Sequence, residues 1–243
     1  MENPQDNTHA GWPPMCGLGA SWAITVELDG DPDPRTGYIL GIDRVDGVVR
    51  NSVVPWLLER WEACEEATPA ALMPGIYSRI EPLLPKGMIH AIELIPEPMG
   101  RFRMEMNQMS MVSIARKYEF SASHRLAIQD VNEEENRQLF GKCSNPNGHG
   151  HNYEMEVEVE IPLKDAPLNA VGLDHVVNQT VISRFDHQHL NEDLDDFDAV
   201  VASVENITSR CAQLLEEPIA DLGGTLRRVT LWETPRTACT ISI

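Results

Sequence analysis

Polar and apolar residues alternate over two stretches of the chain, and each stretch predicts a β-strand. These stretches are AITVELDG at 23–30 and EMEVEVEI at 154–161. Side chains two residues apart share one face of a strand, so alternation is typical of a strand with one buried face. Residues 113–124 alternate less regularly, but their β-rich ends predict a long hairpin arm. Residues 39–58 and 166–185 carry apolar residues at helical spacing and predict amphipathic helices.

The predicted elements recur in one order in the two halves of the chain. Each alternating strand follows a short Gly-containing segment, GLGASW at 17–22 or GHGHNY at 148–153. Several further similarities in the same order favour an internal duplication over coincidence. They pair IYSRI at 76–80 with ITSRC at 207–211, and IELIPEP at 92–98 with VTLWETP at 229–235.

The first half lacks the polar residues that distinguish the second half. Leu18 and Ala20 stand where the second half has His149 and His151. Imidazoles can bind metals and carry protons, whereas these apolar side chains can do neither. We therefore expect any active site in the second half.

We expect the short segment NQMSM at 107–111 to connect the two halves. We expect a degenerate module without a metal site at 1–108 and a catalytic module at 109–243. Within the second module, the acidic and polar segment 132–139 predicts a surface loop between the two arms of a hairpin.

The net charge of the chain excludes some classes of binding partner. The chain has 19 basic and 38 acidic residues and a formal charge of -19 at pH 7. This charge repels a phosphate backbone and an anionic membrane surface, so we expect neither nucleic acid nor membrane as a partner. A small anionic ligand stays compatible, since a metal ion or a few local cations can reverse the field inside a pocket.

The spacing of the cysteines and the hydropathy of the chain indicate the cellular compartment of the protein. The five cysteines are widely spread and include no CxxC pair, which favours reduced thiols over a disulfide framework. The first residues have no signal-peptide pattern, and no run of about 18 apolar residues could span a bilayer. We expect a soluble, cytoplasmic protein.

Two histidines lie next to the second alternating strand. His149 and His151 would point to one face about 6 to 7 Å apart, close enough to hold one ion. His124 ends the preceding predicted strand and can supply a third ligand if the two strands pair. Three imidazoles with an open fourth position are typical of catalytic zinc, whereas Cys143 as fourth ligand would give a closed structural site. The turn-forming NPNG at 145–148 favours the open site, because it directs the thiol away from the metal face.

Other polar residues suggest acid–base chemistry and ligand binding. A carboxylate on Asp186 bonded to one ring nitrogen of His187 would raise the basicity of the other nitrogen, as a proton relay requires. A free cysteine thiol has a pKa of about 8.5, and a cation near Cys143 would favour a thiolate that can take a proton from carbon. Glu233 ends a β-rich run, where its carboxylate could accept two parallel N–H bonds from the edge of a pterin or guanine.

Each of these motifs also has a purely structural interpretation. The histidines could be surface residues, Asp186 could cap a helix, and Glu233 could be a solvated strand end. The segment SVEN at 203–206 has the pattern of a helix cap, with Ser203 accepting from free amides.

Taken in order, these motifs resemble the 6-pyruvoyltetrahydropterin synthase family. The similarity covers about residues 113–243, and its central block is long and specific. The resemblance implies an α+β tunnelling fold, in which modules of an antiparallel sheet and two helices join across subunits into a barrel. The first half then resembles a degenerate tandem copy. The matching motifs are FSASHRL at 120–126, LFGKCSNPNGHGHNY at 139–153, FDHQHL at 185–190, VEN at 204–206 and WET at 232–234.

The resemblance also implies a zinc cofactor, a pterin triphosphate substrate and a role for each matching residue. Ser203 stands where the family has threonine, which keeps the hydroxyl group. The implied roles are zinc binding for His124, His149 and His151, catalytic base for Cys143, proton relay for Asp186 and His187, and substrate binding for Glu233, Glu205 and Ser203.

The implied reaction is that of a lyase, which converts 7,8-dihydroneopterin triphosphate to 6-pyruvoyltetrahydropterin with release of triphosphate. The spacing between the thiol and the histidines favours this product over that of 6-carboxytetrahydropterin synthase of queuosine synthesis, which also releases acetaldehyde. A zinc-binding or pterin-binding scaffold without turnover is a third alternative. Because exposed sheet edges aggregate, we expect a homo-oligomer, either three chains in a ring of six modules or a dimer of such rings.

Overall fold

The computed structural model describes residues 22–63, 68–97, 100–164, 166 and 168–243. The chain divides into two units, Met1–Val112 and Ser113–Ile243, here called unit 1 and unit 2. Of the segment GLGASW, all but Trp22 lies outside the described residues, as do Cys16 and Cys64. The assignment of a degenerate and a catalytic module stays a prediction.

Unit 1 contains an antiparallel sheet and two helical segments. Its elements are β1 (Ala23–Leu28), α1 (Ile42–Val48), α2 (Val54–Glu62), α3 (Pro69–Ile80), β2 (Ile89–Glu97) and β3 (Gly100–Glu105). Strand β2 pairs antiparallel with both β1 and β3. A π-helical turn at Val49–Val53 joins α1 and α2 into one segment, over the region where the sequence predicts a helix.

Unit 2 contains further β-strands, its own helices and the residues of the candidate site. Its elements are β4 (Met111–His124), α4 (Glu133–Phe140), β5 (His149–Pro162), α5 (Ala170–Val177), α6 (Ser183–Phe185), β6 (Gln188–His189), α7 (Val204–Asp221), β7 (Thr225–Thr234) and β8 (Thr237–Ser242). The strand order is β4, β5, β7, β8, and the short β6 pairs parallel with β4. Strand β7 pairs antiparallel with β5 and β8. A π-helical turn at Asn178–Ile182 joins α5 and α6. The predicted α+β class with antiparallel strands and helices is confirmed.

Helix α7 packs one apolar stripe against the sheet of unit 2. The stripe consists of residues four apart that are fully buried: Ile207, Cys211, Leu215 and Ile219. Burying a side chain of the size of leucine or isoleucine stabilises a fold by about 1.5–3 kcal/mol, so this stripe fixes the start of α7 relative to the strands. Neither α7 nor any other described helix is long and apolar enough to cross a membrane.

The acidic segment that the sequence analysis assigns to a loop forms helix α4 instead. The side chain of Asn132 caps this helix by accepting a hydrogen bond from the amide of Glu135, at 2.9 Å. Three glutamates in the first turn, residues 133–135, complement the positive end of the helix dipole. An N-cap residue followed three positions later by glutamate is a helix-start signal, so composition alone was the wrong criterion here.

A buried carboxylate fixes the loop between β6 and α7. The side chain of Asp196 has no exposed surface and accepts hydrogen bonds from Nε of Arg184 at 2.8 Å and from Nε of Arg210 at 2.6 Å. Burial alone would raise the pKa of Asp196, but the two guanidinium groups outweigh it and hold the pKa below its usual range. The loop that follows the predicted Asp-His pair is thereby fastened to the helices on either side.

We expect Asp196→Asn to lower the free energy of unfolding by about 2 kcal/mol at neutral pH, because two cations lose their carboxylate. The folded-state pKa is depressed, so this stabilisation is present above the unfolded-state pKa of about 4 and is lost as the pH falls through the folded-state value. Urea unfolding at matched protein concentration measures the change.

The matched control is Asp195→Asn. The Asp195 side chain is 86% exposed and its Oδ1 lies 3.3 Å from Nη2 of Arg184, so its loss should change stability by less than about 0.5 kcal/mol. Equal losses in the two variants would contradict the assignment.

Candidate active site

Three histidines of unit 2 converge where β4 ends and β5 begins. His124 is the last residue of β4, and His149 and His151 lie two apart at the start of β5. One ring nitrogen of each lies within 4.8 Å of the others, and the ring centroids are 4.5 to 5.3 Å apart. The structure thus brings together the three residues that the sequence analysis assigns to a metal. We call them the histidine cluster.

The donor set of the histidine cluster fits a metal ion. Nδ1 of His124 lies 2.6 Å from the carbonyl oxygen of Ala202; because a carbonyl only accepts, Nδ1 carries the proton and the neutral ring directs the lone pair of Nε2 into the cluster. Nε2 of His124, Nδ1 of His149 and Nε2 of His151 are buried without a hydrogen-bond partner. Orphaned buried nitrogens are costly, and one cation would satisfy all three.

Electrostatics keeps two of these imidazoles in the form that binds metals. Burial, together with the neighbouring imidazoles, lowers the pKa of His149 despite the opposing charge of Glu233. Burial likewise lowers the pKa of His151, again against the effect of Glu233. A metal ligates the neutral ring, so both shifts reduce competition from protons.

Glu233 faces the histidine cluster from β7. Its Oε1 lies 3.2 Å from Nε2 of His124 and 3.6 Å from Nε2 of His151. The shorter distance is within ion-pair range, but in the tautomer set by Ala202 the Nε2 of His124 carries no proton, and it has no partner that meets hydrogen-bond geometry. Contact with His124, opposed by burial and aided by the other two imidazoles, holds the pKa of Glu233 below its usual range. A carboxylate directed at imidazole lone pairs favours a cation between them.

The predicted Asp-His pair is formed. Nδ1 of His187 lies 2.8 Å from Oδ2 of Asp186, and the amide of Ser121 donates to Oδ1 of Asp186 at 2.8 Å. The Ser121 amide and His187 hold the pKa of Asp186 below its usual range. His187 has a φ of 60°, a conformation that residues other than glycine rarely adopt and that often marks functional positions. This strain is invisible in the sequence.

A cavity connects the histidine cluster with the Asp-His pair. It has a volume of about 570 Å³, and its wall includes His151 of the cluster, His187 of the pair, and Ser121, Ser123 and Asn152. The hydroxyl, amide and imidazole groups of this wall suit a polar ligand.

Other predicted site residues lie apart from the histidine cluster. Cys143 is a half-buried free thiol in the 3-10 turn Gly141–Ser144 and is not among the cluster's ligand atoms, which favours the open site over the closed one. Ser203 caps α7, its hydroxyl accepting from the amide of Asn206 at 3.4 Å, and Glu205 is exposed in the first turn of that helix.

Two residues at the site were not predicted from the sequence. The carbonyl of Ala202, which orients His124, has no sequence signal, because any residue carries a carbonyl. His189 lies in the same motif as the Asp-His pair, and its buried Nδ1 has no hydrogen-bond partner; an imidazole beside a known motif was the available signal. Its Nε2 approaches Gly148, the glycine that precedes the cluster.

The fold of unit 2 and its histidine cluster define an α+β unit able to bind a metal ion, with an Asp-His pair nearby. The family model of 6-pyruvoyl tetrahydropterin synthase matches residues 113–242. The chain belongs to this family of enzymes, and the resemblance seen in the motifs is confirmed.

Individual relatives match the second half of the chain. The 6-pyruvoyl tetrahydrobiopterin synthases of Pongo abelii and Homo sapiens are 40% and 38% identical to it over 124 residues, which is 50% of this chain and 84% of each relative. Among solved structures, that of Caenorhabditis elegans 6-pyruvoyl tetrahydropterin synthase is similar over 55% of this chain and 96% of that chain, with 28% identity and a TM-score of 0.47.

We expect Gly148→Ala to weaken zinc binding at least about tenfold, a loss of about 1.4 kcal/mol. Gly148 has a φ of +68°, and a Cβ there would lie 2.7 Å from Nε2 of His189 and 3.0 Å from the carbonyl oxygen of His124. The His189 ring can turn to relieve the first contact, but the second is with backbone, so the start of β5 must shift relative to His124 by a few tenths of an ångström and disturb the ligand geometry. Competition with a chromophoric chelator measures the affinity.

The control is Gly87→Ala in unit 1, at a φ of +75° with nothing within 4 Å of the new Cβ. This variant carries the backbone strain of about 1–2 kcal/mol without a clash, so zinc affinity should stay unchanged. Wild-type zinc affinity in Gly148→Ala would contradict the steric argument.

Proposed function

We propose that the chain is a zinc-dependent lyase that converts 7,8-dihydroneopterin triphosphate to 6-pyruvoyltetrahydropterin and releases triphosphate. The observation that carries the proposal is the histidine cluster, whose three unpartnered ring nitrogens meet beside an Asp-His pair. Membership of a family whose relatives are named 6-pyruvoyl tetrahydrobiopterin synthase supports the same reaction.

In this proposal His124, His149 and His151 hold the zinc. When bound, the ion supplies a Lewis acid that polarises the hydroxyl groups of the substrate side chain and acidifies the neighbouring C–H bonds. The hydrogen bond from His124 to Ala202 orients one ligand, in the manner of other outer-shell contacts at metal sites.

Cys143 is the proposed base and His187 the proposed acid. The thiolate of Cys143 takes a proton from a side-chain carbon, and the electrons of that C–H bond form a double bond as triphosphate departs with its ester oxygen. Nδ1 of His187 is engaged by Asp186, so Nε2 is left on an imidazole that is 82% exposed and can return a proton. The strained backbone of His187 supports this role.

Glu233 is the proposed anchor of the pterin ring, and Glu205 with the Ser203 hydroxyl would complete that pocket. The lowered pKa of Glu233 keeps the carboxylate ionised and able to accept two N–H bonds from the pterin. Its Oε1 cannot face both His124 and a pterin edge. The anchor role therefore requires a cation on the histidine cluster to replace the contact with His124.

Two alternative functions would use the same residues. A 6-carboxytetrahydropterin synthase would use the same substrate and also release acetaldehyde, and a scaffold would bind zinc or pterin without turnover. The four-residue turn between Cys143 and the histidines favours the pyruvoyl product, and the conjunction of thiol, Asp-His pair and histidine cluster favours turnover over a scaffold.

We also propose that the units are tandem tunnelling-fold modules, 1–108 and 109–243, whose sheets join those of other chains into a barrel. A shared order supports this: after β1 and again after β5 come a helical segment, a helix and two strands, with the two-residue β6 as an addition in unit 2. In each unit a π-helical turn interrupts the helical segment that follows this strand, at Val49–Val53 and Asn178–Ile182. Among the described residues, β1 is an edge strand within unit 1 and β8 is an edge strand within unit 2, and such edges tend to pair with further strands.

We expect a homo-oligomer of three or six copies of the 27.2 kDa chain, because three chains would supply six modules to a closed ring. Light scattering across a dilution series measures the mass. A monomer that persists at high concentration would contradict the barrel.

For the reaction, we expect zinc-loaded protein incubated with 7,8-dihydroneopterin triphosphate to release triphosphate and yield 6-pyruvoyltetrahydropterin, identified by mass spectrometry. Carboxypterin with acetaldehyde would instead establish the alternative product. Pterin binding without release of triphosphate would contradict catalysis and leave the scaffold.

The thiol provides a matched pair of variants for the same assay. Cys143→Ala should keep its zinc and lose at least about 100-fold in turnover, as expected for a general base. Cys239→Ala, at a free thiol on β8, should change neither. Loss of zinc from Cys143→Ala would indicate a closed site with the thiolate as fourth ligand.

A further inference from the structure

A second cavity of unit 2 lies next to the turn that carries Cys143, and two basic side chains line it. Its volume is about 740 Å³, and its lining includes Arg137 of α4 and Lys142, Ser144 and Asn145 of the following turn. Lys142 immediately precedes Cys143 in the chain. The cavity therefore adjoins the segment that carries the proposed base.

Most lysines and arginines of unit 2 are already engaged by other groups. Lys117 lies over the ring of Trp232, at 5.5 Å from its centroid. The ion pairs join Arg116 to Asp174, Arg125 to Glu133, Arg184 and Arg210 to Asp196, Arg227 to Glu160, and Arg228 to Glu158.

Arg137 and Lys142 differ from these residues. In the described part of the chain, neither side chain makes a hydrogen bond or an ion pair. Lys164 and Arg236 are also unpaired, but they do not border this cavity. Two cations without a counter-ion on one cavity wall are unusual in a chain with a formal charge of -19, where acidic partners are plentiful.

The acidic residues of the wall only partly offset this charge. Glu133 is paired with Arg125, whose Nη2 lies 2.5 Å from the Glu133 carboxylate and whose Nε donates to the carbonyl of Ser144 at 2.9 Å. Glu134 has a hydrogen bond from Gln138 but no cation. The unpaired side chains on the wall thus carry two positive charges against one negative charge.

The turn that presents Lys142 is well defined. Gly141 has a φ of +58° and ends α4, and the buried hydroxyl of Ser144 donates to the carbonyl of Gly141 at 2.9 Å. The backbone next to Cys143 is therefore fixed while the Lys142 side chain remains exposed and free to reach a ligand.

We propose that Arg137 and Lys142 form a polyphosphate-binding site that holds the triphosphate group of the substrate beside Cys143. The identity of the ligand rests on the proposed function, in which triphosphate leaves from the carbon chain that Cys143 deprotonates. The leaving oxygen departs with the bonding electron pair, so negative charge grows on the triphosphate. Fixed cations at that point stabilise the charge as it develops, and the planar guanidinium of Arg137 suits two phosphate oxygens at once.

The test is calorimetric titration of inorganic triphosphate into the zinc-loaded full chain. Arg137→Gln and Lys142→Gln should each weaken binding about tenfold, as expected for the loss of a charge-assisted hydrogen bond. Glu134→Gln should strengthen binding, because it removes the uncompensated carboxylate. Lys164→Gln is the control and should bind as the wild type does. Wild-type affinity in both Arg137→Gln and Lys142→Gln would overturn the site.

Pterin binding and turnover separate this proposal from the proposed function. Neopterin, which lacks the phosphates, should bind the wild type and Lys142→Gln equally, and the Michaelis constant for the triphosphate substrate should rise about tenfold in that variant. If the wild type turns over no substrate but binds triphosphate through Arg137 and Lys142, the proposed anion site is supported and the proposed reaction is contradicted. If the wild type turns over substrate and both variants bind triphosphate as the wild type does, the proposed anion site is contradicted and the proposed reaction is supported.

Discussion

The hydrogen bond from Nδ1 of His124 to the carbonyl of Ala202 is the contact on which the site depends. It joins the end of β4 to the residue before the cap of α7. Because the carbonyl can only accept, the bond fixes the tautomer of His124 and directs the lone pair of Nε2 toward His149 and His151. Without it the ring could turn, and the three nitrogens would no longer converge.

The position of Ala202 in turn depends on structure far from the histidines. The stripe of α7 packs on the sheet, and Asp196 fastens the preceding loop to Arg184 and Arg210. Glu233 reaches the cluster because β7 pairs with β5 in the register Glu154↔Trp232, so that Glu233 and Tyr153 are next in line on the same face. An apolar core and one buried ion-pair network therefore set the geometry of the polar site.

Local periodicity was enough to predict the elements that build the site. Alternation placed His149 and His151 on one face, and the strand ending at His124 supplied the third imidazole. The contacts with Ala202 and Glu233 depend on tertiary packing and strand register, which leave no mark at the residues themselves. The polar composition of segment 132–139 predicts a loop, but the capping signal at Asn132 decides the outcome and the segment is helical. The strained φ of His187 likewise follows from how its amide docks on the carbonyl of Ser121, at 2.6 Å.

A comparison of unit 1 with unit 2 distinguishes the residues that the fold needs from those that the candidate site needs. It has a sheet, an interrupted helical segment and a buried stripe on α3 formed by Met73, Ile76 and Ile80, yet among the described residues the group of three potential metal ligands lies in unit 2. These apolar residues of unit 1 bury surface, and burial supplies most of the free energy of folding. Polar ligands contribute little to that balance and carry a desolvation cost when no ion is bound. Under the proposed duplication, a copy relieved of the reaction would exchange such ligands for apolar residues and keep its fold, and Leu18 and Ala20 would then stand in place of two histidines.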